Sequence, residues 1–250
     1  MHSSVHDIWR RLVVLYSEKR ITQPSDTLPA LAGLAQKWSF HVKPGKYLAG
    51  LWSTDIFKSL LWRVNNAVAG ASRTLQPQKY IAPSWSWAST QQPVTWDRID
   101  LQDIECFVTI HLDSSGCQAG GPDPFGRLEA GWLCITGRTF EAQVALVDEG
   151  NALLHTDGFP RFFRFTPDNL EHCQTLVGQH LTCLVYSTNP PLVDSIVVIV
   201  LAQALLGCFA SLPPAVQKHP HVFQRLGVIR PDVEGWDHVA QSKELTFYLV

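Results

Sequence analysis

The chain has 250 residues, of which 46% are hydrophobic and 17% charged, and its formal net charge is −2. This length is enough for one large domain or two small ones with a substantial core. Lysine and arginine are scattered rather than clustered, which argues against a nucleic-acid-binding protein. The longest apolar run, at residues 196–202, is shorter than the roughly 20 residues that span a bilayer, so we expect no membrane span.

The N-terminal residues lack the basic and apolar regions of a signal peptide. The six cysteines are spread widely along the chain, which is typical of reduced thiols rather than of a disulfide framework. From both features we expect a cytoplasmic protein.

The first third of the chain has the hydrophobic period of α-helices. Apolar residues in 5–16 recur at i, i+3, i+4 and i+7, which predicts a helix with one apolar face. A second stripe covers residues 28–38, with Pro29 in the first turn and Asp26 as a candidate helix cap. Apolar residues that step by four predict a third helix at 48–64.

Beyond about residue 80 the hydrophobic period changes to two. Strands are predicted at 104–112, 131–136, 140–146, 161–166, 180–186, 195–202, 222–229 and 245–249. The predicted fold class is therefore α+β, with a helical N-terminal third packed on an antiparallel β-sandwich or barrel of about eight strands. The corresponding division is a helical subdomain at 1–80 and a β-rich subdomain at 81–250, or one continuous domain.

The run APSWSWAS at residues 82–89 brings two tryptophans close together. Pro83 favours an extended conformation before it, and in a strand Trp85 and Trp87 would lie on the same face. Two neighbouring indoles form either the floor of an apolar pocket or a core seam between helices and sheet. We expect Trp52 to pack on this seam, with Trp62 nearby.

The sequence contains no recognisable catalytic or metal-binding motif. It has neither a Gly-x-Ser-x-Gly elbow nor a phosphate-binding glycine-rich loop. His172, Cys173, His180 and Cys183 are close in sequence, but on a strand the last two would point to opposite faces. We predict no metal site and no cofactor.

Four ordered blocks in the first 90 residues carry a family resemblance. The blocks begin with LYS to GLA at residues 15–35 and continue with YLAGLW at 47–52, LLW at 60–62 and APSWSWAS at 82–89. Shorter echoes follow, DPFG at 123–126 and FQRLGV at 223–228. In these blocks the chain resembles the region that follows the HET domain in fungal heterokaryon-incompatibility proteins.

The resemblance implies a HET domain before this region, and nothing in the sequence corresponds to one. The HET domain resembles TIR-type domains proposed to act on NAD, so no NAD-hydrolysing glutamate is carried over to this chain. The resemblance implies that the residues of the shared blocks hold the fold together. We expect specificity residues where the chain departs from the blocks, at 64–80, 148–175 and 187–220.

The first functional hypothesis is a stand-alone HET-like enzyme that binds an apolar small molecule. It would be a cofactor-free cyclase or pericyclase of the Diels–Alderase type, acting on a fungal terpenoid or polyketide by orienting the substrate. A hydrogen-bond donor would polarise a substrate carbonyl, from an indole, Tyr16, Tyr47, Arg63 or a histidine. The expected substrate-binding residues are Tyr16, Tyr47, Trp52, Trp62, Trp85 and Trp87. This hypothesis requires an internal cavity of roughly 300 Å³ or more.

The second hypothesis is a non-catalytic interaction or regulatory module of the heterokaryon-incompatibility system. Its partner would be a HET-containing protein or another copy of the chain. It predicts an exposed apolar patch of more than a few hundred Å² and no closed pocket.

Overall fold

The computed structural model describes residues 4–19, 21–65, 80–96, 105–148, 150–156, 162–189, 192–204, 211–229 and 242–250. Helices dominate its N-terminal region, and a large, mainly antiparallel sheet follows, so the predicted α+β fold is confirmed. No helix in the described part of the chain is long and apolar enough to cross a bilayer. The predicted specificity stretches lie partly outside the described residues.

The first helix, α1 (Val5–Ser17), starts with a capping box. The Ser4 hydroxyl accepts a hydrogen bond from the Asp7 backbone N–H at 3.2 Å, and the Asp7 carboxylate accepts one from the Ser4 N–H at 2.9 Å. These bonds satisfy backbone donors that have no partner within the helix. The predicted single apolar face is divided, because Trp9 and Val13 are buried whereas Val5 and Ile8 are exposed.

The second helix, α2 (Pro29–Val42), has proline in its first turn as predicted. The prediction that Asp26 caps it is wrong. Asp26 closes a short 3-10 helix, Pro24–Asp26, and the residue at the cap position of α2 is Leu28. The Asp26 carboxylate instead lies 3.5 Å from the Arg127 guanidinium on the surface.

The predicted third helix at 48–64 is also wrong. The segment forms β1 (Tyr47–Leu48), β2 (Leu51–Trp52), a 3-10 turn (Ser53–Asp55), the one-turn helix α3 (Ile56–Ser59) and β3 (Arg63–Val64). The apolar residues at every fourth position are all buried, but in several short elements rather than along one helix face. Most residues of the segment are buried, so its hydrophobic period does not distinguish one helix from several short elements.

The APSWSWAS run is a turn rather than the predicted strand. It ends in a 3-10 helix, Trp87–Ser89, where the Ser86 hydroxyl accepts a hydrogen bond from the Ala88 N–H at 3.1 Å. Both Trp85 and Trp87 are nevertheless buried. The next element, β4 (Val94–Thr95), pairs with β3.

The main sheet contains nine strands among the described residues. They are β5 (Glu105–Cys106), β6 (Thr109–Ala119), β7 (Leu128–Asp148), β8 (Asn151–His155), β9 (Phe163–Pro167), β10 (His180–Asn189), β11 (Leu192–Gln203), β12 (Val222–Ile229) and β13 (Lys243–Leu249). Two short helices, α4 (Leu170–Thr175) and α5 (Pro214–Gln217), interrupt the series.

Two predicted strands, at 131–136 and 140–146, are parts of the single strand β7. Gly137 lies between them without forming a turn. A Cβ atom there would come within 2.7 Å of the Leu184 side chain and 2.9 Å of Val108, so glycine allows neighbouring segments to approach. The predicted strand at 104–112 is divided into β5 and β6, and Ile104 lies outside the described residues.

The strand pairings close on themselves, as in a barrel. β7 pairs with β10, β10 with β11, and β11 with β12, all antiparallel. One end of β12 returns to β7 through a parallel pairing with β13. The other end of β12 returns through β9 and β8. Closure removes the free edges of these strands.

Two main hydrophobic cores lie on opposite faces of this sheet. The first, the aromatic core, joins residues of the helical region to one face of β7, β10, β11, β12 and β13. The second, the strand core, contains side chains from β7 to β12 and Cys173 of α4. On β11, Ile199 faces the aromatic core and Val200 the strand core, which explains the continuous apolar run in this strand.

Candidate functional site

The YLAGLW block forms a tight hairpin between β1 and β2. Its two turn residues, Ala49 and Gly50, both have positive φ angles, 49° and 91°. A Cβ atom on Gly50 would lie 2.6 Å from Nε1 of Trp87. The turn therefore requires glycine at position 50 for its backbone conformation and for the close approach of the indole.

The backbone carbonyls of this turn collect hydrogen bonds from distant segments. The Gly50 carbonyl accepts from Trp9 Nε1 at 2.9 Å and from Trp87 Nε1 at 3.2 Å. The Ala49 carbonyl accepts from the Ser86 hydroxyl at 2.5 Å. The hairpin thus connects α1 to the APSWSWAS turn, which gives a physical reason for the presence of both blocks in one sequence.

Trp62 and Trp85 lie beside a buried ion pair. The Trp62 indole N–H donates to the Trp85 carbonyl at 2.9 Å. The Arg225 guanidinium lies over the Trp62 ring, 3.7 Å from its centroid, and donates to the carbonyls of Leu60, at 2.7 Å, and Trp62. Its Nε lies 2.9 Å from the Asp168 carboxylate. Burial raises the pKa of Asp168 to about 6, although Arg225 opposes this rise.

Tyr47 and Trp52 pack edge to face, with ring centroids 4.9 Å apart, and Phe125 covers Tyr47 at 5.1 Å. The Tyr47 hydroxyl and the indole nitrogens of Trp52 and Trp85 are buried and have no hydrogen-bond partner among the described residues. Burial raises the pKa of the Tyr47 hydroxyl and raises that of the nearby Cys117 thiol to about 12. The Tyr47 hydroxyl and the Cys117 thiol are therefore neutral. The O–H of Tyr47 and the N–H groups of Trp52 and Trp85 are buried donors without an acceptor in the described part of the chain.

Tyr16 and Trp87 meet at the rim of the aromatic core. Their rings are perpendicular, with centroids 5.9 Å apart, and the Tyr16 hydroxyl donates to the Thr27 carbonyl at 2.9 Å. A surface cavity of about 30 Å³ opens beside them, lined also by Lys19 and Gln92. This volume admits water, but it is far below the few hundred Å³ of a ligand pocket.

The structure places all six predicted substrate-binding residues in or against the aromatic core. Trp52, Trp62, Trp85 and Trp87 are fully buried there, and Tyr16 and Tyr47 are partly buried against it. They are the packing between the helical region and the sheet. Their role in substrate binding stays a prediction.

Sequence reasoning missed two buried ion pairs, Arg225–Asp168 and Arg10–Asp55. Asp55 accepts from Arg10 and, at 2.8 Å, from the Ser59 hydroxyl. The partners of each pair lie 57 and 45 residues apart, so no local pattern connects them. The Asp7–Arg10 spacing on one helix face is a local signal, but it indicates a different contact of Arg10, which is observed at 2.5 Å.

An exposed apolar row on α1 was also missed. Val5, Ile8 and Leu15 are 43%, 47% and 62% exposed, and Leu12 between them is only partly buried. We call these four residues the α1 stripe. They follow one another at intervals of three, four and three positions, which places them in line on one side of the helix.

The histidines and cysteines considered as metal ligands do not converge. No group of three or more possible metal ligands is present among the residues that the structure describes. Cys173 and Cys183 are buried in the strand core, whereas His180 is exposed. The five cysteines within the described ranges are free thiols.

The fold and the site together define an α+β protein whose closed strand circuit is covered by an aromatic-rich helical region. No family model, curated protein or solved structure matches the chain. The resemblance to the region after the HET domain therefore stays a prediction.

Proposed function

We propose that the chain is a non-catalytic protein-interaction module that docks through helix α1. The observation that carries the proposal is the α1 stripe, where three large apolar side chains are substantially exposed in a row. Exposed apolar rows on a helix are a common means of protein recognition, because a partner can cover them with its own apolar side chains.

The opposite side of α1 is fixed to the body of the protein. The Trp9 indole donates to the Gly50 carbonyl, and the buried Arg10 guanidinium binds Asp55. The stripe is thus presented on a helix that is already formed, which reduces the entropy lost when a partner binds.

Two further points support an interaction module over a catalyst. The indoles expected to line a substrate pocket are occupied by core packing. The resemblance in the four blocks is to a region that, in heterokaryon-incompatibility proteins, is not known to be catalytic. On this proposal the module works in the cytoplasm and its partner is a protein, either a HET-containing one or a second copy of this chain.

The proposal is tested by photo-crosslinking. A photoreactive benzoylphenylalanine replaces Leu15, or replaces Val177 as a control, since Val177 is 47% exposed and lies after α4. In cells that produce the chain, we expect discrete protein adducts from position 15 that Ile8→Glu abolishes, and none of these adducts from position 177. The absence of adducts from position 15, or the same adducts from both positions, would refute the proposal.

A second candidate function is the binding and cyclisation of an apolar small molecule. The observation that favours it is the set of buried donors without partners on Tyr47, Trp52 and Trp85. The carbonyl group of an apolar ligand that displaces part of the aromatic core would satisfy them, and polarisation of that carbonyl would assist a cofactor-free cyclisation.

This candidate is tested with an apolar extract of fungal cells and native mass spectrometry. If it is right, one metabolite is retained or converted without added cofactor, and Tyr47→Phe and Trp52→Phe reduce its retention. Trp62→Phe is the matched control, because the Trp62 N–H already donates to a backbone carbonyl. Retention of no metabolite eliminates the candidate.

A further inference from the structure

The α1 stripe has one free edge, and two exposed side chains of opposite charge lie along it without an ion-pair partner among the residues that the structure describes. Arg11 and Glu18 are both exposed and lie on the same side of the stripe. On the other side, Trp9 and Tyr16 turn into the protein. Neither Arg11 nor Glu18 forms an ion pair within the described ranges of the chain.

From this arrangement, and resting on the proposed function, we propose that the partner of the α1 stripe is a second copy of the same chain. The two α1 helices pair antiparallel across a two-fold axis, with Arg11 of each copy opposite Glu18 of the partner subunit.

The charges select both the partner and its direction. Arg11 and Glu18 are two helical turns apart, about 10.5 Å along the axis. A two-fold axis that passes beside α1, level with the midpoint between these two residues, reverses the direction of the second helix. Each positive group then meets a negative one, twice per dimer. A parallel pair would instead place each charge beside its own copy, which is unfavourable.

The same register covers the most exposed part of the stripe. Leu15 packs on Leu12 of the partner subunit, and the reverse contact follows from the symmetry. Ile8 lies against the aliphatic stem of Lys19 of the partner subunit, whose ammonium group stays in water. The intervals of three and four positions in the stripe are those by which side chains of two nearly aligned helices interdigitate.

A single pair of short helices buries less area than a typical stable interface. The dimer is therefore weak, and its population changes with concentration in the micromolar range. It is an interaction that other proteins with a similar stripe are able to compete for.

The test is sedimentation velocity of the purified chain over a concentration series, with a charge-swap cycle. The wild type is expected to pass from monomer to dimer. Arg11→Glu and Glu18→Arg each place like charges together and are expected to raise the dissociation constant about tenfold. The double variant restores opposite charges and is expected to return close to the wild-type value.

Two controls complete the cycle. Arg164→Glu changes the net charge as Arg11→Glu does, at an exposed position on β9, and is expected to leave dimerisation unchanged. Circular dichroism verifies that each variant is folded. A separate variant, Leu15→Glu, removes the apolar contact itself and is expected to abolish the dimer.

The outcomes separate this inference from the proposed function. A chain that stays monomeric, or a double variant that fails to recover, overturns the homodimer. If position 15 still crosslinks to a different protein in that case, the interaction module stands and only the identity of its partner is wrong. A monomer with no adduct at position 15 overturns both.

Discussion

The two main cores of the protein differ in how their backbone carbonyls are satisfied. In the strand core, the regular pairings among the strands from β7 to β12 occupy the backbone, and the side chains are mostly aliphatic, alanine, phenylalanine and cysteine. In the aromatic core, the carbonyls of Gly50, Trp85 and Leu60 lie in turns and short elements, and the side chains of Trp9, Trp62 and Arg225 donate to them. Where regular structure is short, the indole N–H groups of Trp9 and Trp62 therefore replace backbone donors, since a buried carbonyl needs a donor.

The largest effect on stability is expected for Arg225→Met, because Arg225 on β12 binds both the helical region and Asp168, which follows β9. The change leaves the Asp168 carboxylate buried without its counterion and removes the donors to two carbonyls. Breaking a buried pair in this way costs about 3–5 kcal/mol of unfolding free energy, measured by urea denaturation. Arg164→Met, at an exposed position, is the control and is expected to change stability by less than about 0.5 kcal/mol. A loss below about 1 kcal/mol at Arg225 would mean that the pair is dispensable.

The strand core is tested with Leu154→Ala on β8. Leu154 is fully buried, and a cavity left by truncation costs about 3 kcal/mol. Its neighbour Leu153 points to the other face and is only partly buried, so Leu153→Ala is expected to cost about 1 kcal/mol or less. Equal losses at the two positions would contradict the assignment of these faces.

A pair of glycines compares the two regions directly. Gly50 and Gly178 both have positive φ, 91° and 81°, but an added Cβ meets Trp87 only at Gly50 and nothing within 4 Å at Gly178. Gly178→Ala is expected to cost about 1 kcal/mol from backbone conformation alone. Gly50→Ala adds displacement of the indole and is expected to cost about 2–3 kcal/mol. The same loss for both would show that the Gly50 turn has room to adjust.

The smallest expected difference concerns a single hydrogen bond. Trp62→Phe and Trp52→Phe remove the same atoms from two buried indoles, but only the Trp62 N–H has a carbonyl partner. We expect Trp62→Phe to be the more destabilising by about 1 kcal/mol in urea denaturation. If Trp52→Phe costs as much or more, donation to the carbonyl does not explain the use of tryptophan here.

Sequence reasoning located the elements whose pattern is local. The predicted bounds of β12, 222–229, agree with the structure, and Pro29 lies in the first turn of α2 as expected. The prediction of a helix at 48–64 failed because the left-handed backbone conformation of Ala49 cannot be inferred from the residue type. The buried ion pairs were not predicted for another reason. Arg225 and Asp168, for example, become neighbours only after the strands have paired.

The candidate site was predictable in composition but not in shape. The six aromatic residues do gather in one region, which the blocks of the sequence suggested. Their packing depends on the Gly50 hairpin and the 3-10 turn at Trp87–Ser89, both of which replaced a predicted regular element. The α1 stripe stayed hidden because exposed and buried apolar residues of one helix look alike in a sequence.

The long strand β7 has a consequence for the order of folding. It pairs with β6, β8, β10 and β13, and its bond to β13 joins Thr136 to Thr246, 110 residues apart. Contacts so distant in sequence form slowly, so refolding is expected on the scale of milliseconds to seconds. Until β13 arrives, one side of residues 133–139 has no strand beside it and is able to pair with other unfolded molecules. Yield on refolding should therefore fall steeply as protein concentration rises.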